Sequence, residues 1–146
     1  MRYTMGPLGV ILSAVALPGC DVIDALGPTK VTVALVNDGD FPVEVRIFID
    51  DDQNVLETLI DDVGVQREFT LAAGESIQFD EDCDDLQAII IDEADLQLGG
   101  IDVGPNANTK VYRDGSDFGC GDVLTFTFSH APVPIDLDIG FAVQPG

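Results

Sequence analysis

The sequence predicts an all-β fold, an antiparallel β-sandwich of about eight or nine short strands, with a small β-barrel as the alternative. Three observations carry this reading. Apolar and polar residues alternate with a period of two in several stretches. Turns rich in Gly, Pro, Asn and Asp divide those stretches at intervals of about 8 to 12 residues. No stretch keeps a 3.6-residue period for three helical turns. A length of 146 residues holds one ordinary domain. The 27 Asp and Glu against 6 Lys and Arg give a net charge of -21, which alone suggests disorder, but a hydrophobic content of 46% requires a folded core.

The strands follow in order from Lys30. Val31, Val33 and Leu35 alternate with Thr32, Ala34 and Val36, and Asn37-Asp38-Gly39-Asp40 follows as a turn. Val43, Val45, Ile47 and Ile49 then alternate with Glu44, Arg46, Phe48 and Asp50, so the two stretches read as a first hairpin. Residues 55–60 have no clear period. Residues 67–71 and 76–79 flank Ala72-Ala73-Gly74-Glu75, a four-residue turn with Gly where positive φ is easiest. Residues 86–91 contain Ala88-Ile89-Ile90-Ile91, too short for a helix and rich in β-branched side chains, and read as a central strand. Further strands are expected at 96–98, 109–112, 123–128 and 135–143. There is no internal repeat.

Residues 1–20 read MRYTMGPLGVILSAVALPGC, with one early cation, an apolar stretch from Leu8 to Leu17 and small residues before a cysteine. This is an export signal. Its roughly ten apolar residues fall short of the ~20 that a spanning helix needs. Leu17-Pro18-Gly19-Cys20 resembles the lipobox of bacterial lipoproteins, with Pro18 a departure from the small or β-branched residue usual there. The resemblance implies a signal peptide over 1–19, a diacylglycerol on Cys20, and membrane attachment through that lipid. Ordinary cleavage after Ala14-Val15-Ala16 is the alternative. Cysteine parity supports the lipobox. Three thiols leave one over in an oxidising compartment, and lipidating Cys20 leaves Cys83 and Cys120 to form a disulfide.

A short tether, 20–29, then leads into one β-sandwich domain, 30–146. At ~3.5 Å per residue the tether reaches about 30 Å, which keeps the domain close to the membrane. Arg2 leaves with the signal and every acid lies beyond Cys20, so the exported part carries -22, from 27 acids and 5 bases. Such a surface repels nucleic-acid backbones and anionic headgroups, which excludes nucleic acid as a partner. Phe69-Thr70-Leu71 with Gly74-Glu75-Ser76-Ile77 resembles hairpins of immunoglobulin-like modules in exported bacterial proteins. The chain has no Trp, so no particular family of that kind is implied.

The inventory for catalysis is thin. His130 is the single imidazole, and it follows Ser129 at a predicted strand end, so the two side chains point to opposite faces and do not pair as base and nucleophile. There is no CxxC, HExxH, GxSxG or phosphate-binding glycine loop. Among 27 acids some carboxylate pair always falls within reach of a glycosidic bond, so pairs alone carry no information. Oxygen-ligand metal chemistry is what the composition favours, with Ca²⁺ as the ion. Asp50, Asp52 and Asn54 have the spacing of positions 1, 3 and 5 of a calcium loop, with Asp61 at position 12, but Val55 stands where the turn needs Gly. An acidic solvent loop is the simpler reading. Asp-Gly-Ser-Asp at 114–117 is first a turn.

A Cys83–Cys120 bond would draw Asp80, Glu81, Asp82, Asp84 and Asp85 beside Asp114, Asp117 and Asp122. These carboxylates then either splay into solvent or hold a divalent cation such as Ca²⁺ between them. The function expected is that of a lipid-anchored, extracytoplasmic, non-enzymatic module of the cell envelope, for binding, adhesion or structure, with a protein or envelope partner. The alternatives are a small carboxylate-based hydrolase or isomerase, marked by a deep site holding two acids with opposed pKa shifts, and a Ca²⁺-stabilised binding domain. Acidity that serves only adaptation to salt is a third reading.

Overall fold

The alternation that begins at Lys30 forms β1 (Lys30–Asn37), whose Val31, Val33 and Leu35 are fully buried while Thr32, Ala34 and Val36 are only partly covered. The computed structural model describes residues 27–131 and 136–146; the expected signal peptide, Cys20, most of the expected tether and Ile135 lie outside these. After β1 come β2 (Val43–Asp50), the single helical turn α1 (Ile60–Val63), β3 (Val65–Leu71), β4 (Ser76–Asp82) and β5 (Ala88–Leu98). The chain ends with β6 (Ile101–Ala107), β7 (Tyr112–Arg113), β8 (Val123–His130) and β9 (Leu137–Gln144).

Two open sheets form the sandwich. One has the order β4-β1-β8-β9; the other has β3-β2-β5-β6, with β7 also pairing β5. All pairs are antiparallel except β1 with β8, which run parallel from Thr32↔Val123 to Asn37↔Phe128. The core lies between the sheets, where Val31, Val33 and Leu35 meet Ile47, Leu71, Ile89, Ile91, Leu96, Leu124, Phe126 and Phe128.

Two expected hairpins are instead arches between the sheets. β1 and β2 do not pair with each other, and neither do β3 and β4, so the immunoglobulin-like hairpin resemblance at 69–77 does not hold. Each of these strands has one apolar face. Stacking two such faces across the sandwich buries more apolar surface than setting the strands edge to edge. Short turns permit both outcomes. Gly74 does adopt the positive φ expected of it, 72°.

The expected strands at 86–91 and 96–98 are one strand, β5, bulged at Asp92. Its register against β2 jumps from Ile47↔Ile91 to Arg46↔Glu93. The extra residue shifts the alternation by one, so Ile89 and Ile91 on one side of the bulge and Ala94 and Leu96 on the other all face the core. Arg46 lies opposite the bulge and bonds both of its acids, Asp92 at 2.9 Å and also Glu93.

β6 was not expected from the sequence. It closes a two-residue hairpin on Gly99 and Gly100, both at positive φ (62° and 82°), the primed turn that Gly-Gly between apolar runs signals. Pro105 disguises it as loop, yet Pro is accepted on an edge strand, where β6 lies. In the 109–112 region only Tyr112 enters a strand, β7.

Candidate functional site

The segment 51–64 joins β2 to β3 and is shaped by its own acids. The carboxylate of Asp50 accepts from the Asp52 amide at 2.9 Å, and that of Asp52 accepts from the Asn54 amide at 2.8 Å. The calcium-loop spacing of these residues therefore serves two successive Asx turns. Arg113 reaches across to donate to the Gln53 carbonyl at 2.5 Å. Val55 and Ile60 then fold back onto the outer face of the second sheet, where they pack with Phe48, Ala88, Ile90 and Val111 in a second apolar cluster. Gly64 ends α1 where a Cβ would meet the carbonyl oxygens of Ile60 and Ile49 at 2.6 and 3.0 Å, so the tight return into β3 needs glycine.

Val55 and Ile60 are thereby buried, and the rest of the segment is left open, with exposed aliphatics among exposed acids such as Asp51, Glu57, Asp61 and Asp62. Leu56 (62% exposed), Leu59 (44%), Val63 (63%) and Val65 (63%) are four of the five exposed large hydrophobics among the described residues. Val63 and Val65 border a cleft of about 460 Å³, whose other walls are Ile49, Asp50, Asp51, Arg67, Glu81 and Asp85. Arg67 on β3 pairs with Glu81 on β4, and its guanidinium lies 5.4 Å from the Phe79 ring centre. Phe79 stacks in turn on Phe69, 5.2 Å between ring centres. These residues close the side of the sandwich between edges β3 and β4. The cleft offers aliphatic side chains beside four carboxylates, and its one cation is already paired.

A neighbouring cleft of about 570 Å³ shares Asp85 and contains the disulfide. Cys83 and Cys120 are bonded, with 5.5 Å between their Cα atoms. The chain enters the domain here, since the Cys83 amide donates to the Thr29 carbonyl at 2.9 Å. Several of the carboxylates gathered by the bond are taken up separately. Asp80 accepts from the Thr32 hydroxyl at 2.7 Å, Glu81 pairs with Arg67, and Asp82 lies 3.8 Å from Lys30. Asp122 accepts from the Gly119 amide at 2.7 Å. Asp117 accepts from Lys110 at 2.7 Å and from the Arg113 amide at 2.9 Å. Burial pushes the Asp117 carboxyl up, but these donors outweigh it and hold the group below the ordinary carboxylate range. Among the described residues no group of three or more His, Cys, Asp or Glu is placed to hold a metal ion.

A third, smaller cleft of about 250 Å³ on the outer face of the second sheet is lined by Glu44, Arg46, Glu68, Thr70, Glu93 and Asp95. Asp95 is raised above the ordinary range, by partial burial first and then by Glu93, Asp102 and Glu44. The acids with opposed shifts, Asp95 and Asp117, thus stand at separate places, one in this cleft and the other in the 113–118 turn. His130 ends β8, accepts from the Asp40 amide at 2.9 Å and leans on Phe41, 5.2 Å between ring centres. It braces the β1–β2 arch.

The sequence reading missed Val63, Val65 and Arg67 as a site. Its signal was an excess of aliphatics in 55–65, more than one face of a short connection can bury.

No protein-family model and no curated protein matches this chain. Among solved structures it is similar to the T6SS lipoprotein TssJ1 from Pseudomonas aeruginosa, at 14% identity and a TM-score of 0.43, over 82% of this chain and 98% of that one. It is similar to a protein from Eubacterium rectale at 14% identity and a TM-score of 0.46, over 82% and 93%. It is also similar to part of the human-specific toxin intermedilysin, at 10% identity and a TM-score of 0.41, where it spans about a quarter of that chain (23%).

Proposed function

We propose that this chain is a non-enzymatic binding module of the cell envelope, held to a membrane by lipid on Cys20, whose cleft between Val63, Val65 and Asp85 grips a cationic, partly apolar segment of a protein partner. The observation that carries the reading is the concentration of exposed aliphatics within residues 56–65 beside an acid-walled cleft. Single exposed hydrophobics are ordinary on a protein surface, whereas exposed aliphatics that wall a concave site, as Val63 and Val65 do, favour an interaction surface. The four carboxylates select the sign of the ligand. A Lys or Arg of the partner would meet Asp50, Asp51 and Asp85 while its apolar neighbours cover Val63 and Val65. The placement also suits an anchored protein, because Pro28 and Thr29, which follow Cys20 closely in sequence, line the adjoining cleft. Eight residues from Cys20 to Pro28 span at most about 28 Å, so a partner must lie at the same membrane surface.

Titration of the methyl-labelled chain with short peptides pairing Lys or Arg with Leu, and with matched peptides carrying Glu, tests this reading. The cationic peptides should shift the Val63 and Val65 methyl signals, and Val63→Asp should abolish the response. Equal shifts with the Glu peptides, or none with either set, would overturn it.

A further inference from the structure

We propose that β9 is a self-association edge, along which two copies of this chain pair antiparallel and join their four-stranded sheets into one sheet of eight strands. Besides the two-residue β7 beside β5, the sandwich has four longer edge strands, β3, β4, β6 and β9. Edge strands expose a row of unpaired amides and carbonyls, and soluble proteins blunt them with charge, proline or bulges. Three of these edges are blunted. β3 carries Arg67 and Glu68, β4 ends in Asp80-Glu81-Asp82, and β6 contains Asp102 and Pro105 and has a broken register. β9 has the least of these devices. Leu137–Gln144 holds a single charge, Asp138, and no proline, and its register with β8 runs unbroken over eight residues from His130↔Leu137 to Val123↔Gln144. Among the described residues no backbone hydrogen bond engages β9 other than those to β8.

The occupant follows from the sequence of the strand itself. About a two-fold axis at Phe141, antiparallel pairing sets Phe141 opposite its own copy, Ile139 opposite Val143, Gly140 opposite Ala142 and Asp138 opposite Gln144. The one anion then faces a neutral amide that donates to it, not a second anion. Of the outward residues Asp138, Gly140, Ala142 and Gln144, the central two are small and exposed. For a chain this acidic, an edge with one charge is where a second copy meets the least repulsion. The inference is independent of the cleft, which lies on the side of edges β3 and β4.

Sedimentation of the full chain in density-matched detergent tests it, with hydrogen exchange of the β9 amides as a second readout. Wild type should reach twice the mass of one chain, more completely at 1 M than at 0.1 M salt, because the Debye length shrinks from about 10 Å to 3 Å. Ala142→Lys should halve the mass with an unchanged circular dichroism spectrum, while Gln78→Lys on the blunted edge β4 should leave it. Protection of β9 amides in wild type should rise with concentration. A single-chain mass at every concentration and salt, a dimer that survives Ala142→Lys, or concentration-independent exchange in β9 would overturn the proposal.

Discussion

The side-chain amide of Asn37 donates to the carbonyl of Ala72, 35 residues away, at 2.9 Å. Asn37 also donates to the Phe41 and Leu71 carbonyls and accepts from the Gly39 amide. One side chain, 1% exposed, thus fastens the β1–β2 arch to the β3–β4 arch. Burial there is tolerable only because each polar atom has a partner.

Asn37→Ala should therefore destabilise the fold by about 2–3 kcal/mol, since it strips donors from buried carbonyls. Asn37→Asp should be worse at neutral pH, because it sets a carboxylate against the same carbonyls. Urea denaturation measures both, and wild-type stability of Asn37→Asp would contradict this role.

Reduction of Cys83–Cys120 opens a loop whose ends are 37 residues apart. The chain-entropy relation puts the loss near ~4 kcal/mol. The melting temperature should fall by roughly 12–20 °C for a domain of this size. Thermal melts with and without reductant decide this, and coincident melts would assign the bond no stabilising role.

Asp95 and Asp117 should respond to pH in opposite senses. Asp95 is raised in the folded state, so the stability linked to it is complete below its ordinary pKa of 3.8 and is lost as pH rises through the folded value. Asp95→Asn should gain roughly 0.2–1 kcal/mol at pH 7, like charges facing across strands being removed, and nothing below pH 3.8. Asp117 is lowered, so its stability is present above 3.8 and is lost as pH falls through the folded value. Asp117→Asn should lose about 1 kcal/mol at pH 7 and converge with wild type in acid. Denaturation curves from pH 2.5 to 7 check both signs.

Cys20, in the sequence Leu17-Pro18-Gly19-Cys20, should carry lipid. Expressed in a bacterium fed radiolabelled fatty acid, wild type should take up label and partition into detergent, and Cys20→Ser should do neither. Equal labelling of the two, or a mature N-terminus at Leu17, would end the idea.

Strand positions were legible because side-chain alternation is local: Val31, Val33 and Leu35 announce β1 in any context that has an inside and an outside. The turn at Gly74 was legible for the same reason, since positive φ is a property of one residue. Cysteine parity named the partners of the disulfide, and Asp50, Asp52 and Asn54 declared a loop. The sequence could not say which strand lies beside which. A four- or five-residue connection closes a hairpin or spans two sheets equally well, and the choice at Asp38–Pro42 and Ala72–Glu75 falls to the total apolar face buried between sheets and to one buried amide. The parallel pairing of β1 with β8 joins residues about 90 positions apart, beyond any local pattern. The bulge at Asp92 shows its purpose only once Arg46 stands opposite it. The cleft of Val63, Val65 and Asp85 belongs to this second kind, because exposure is set by what the rest of the chain covers: Ile60 and Val63 are alike in the sequence, and only the packed outer face of the second sheet buries one and leaves the other to solvent.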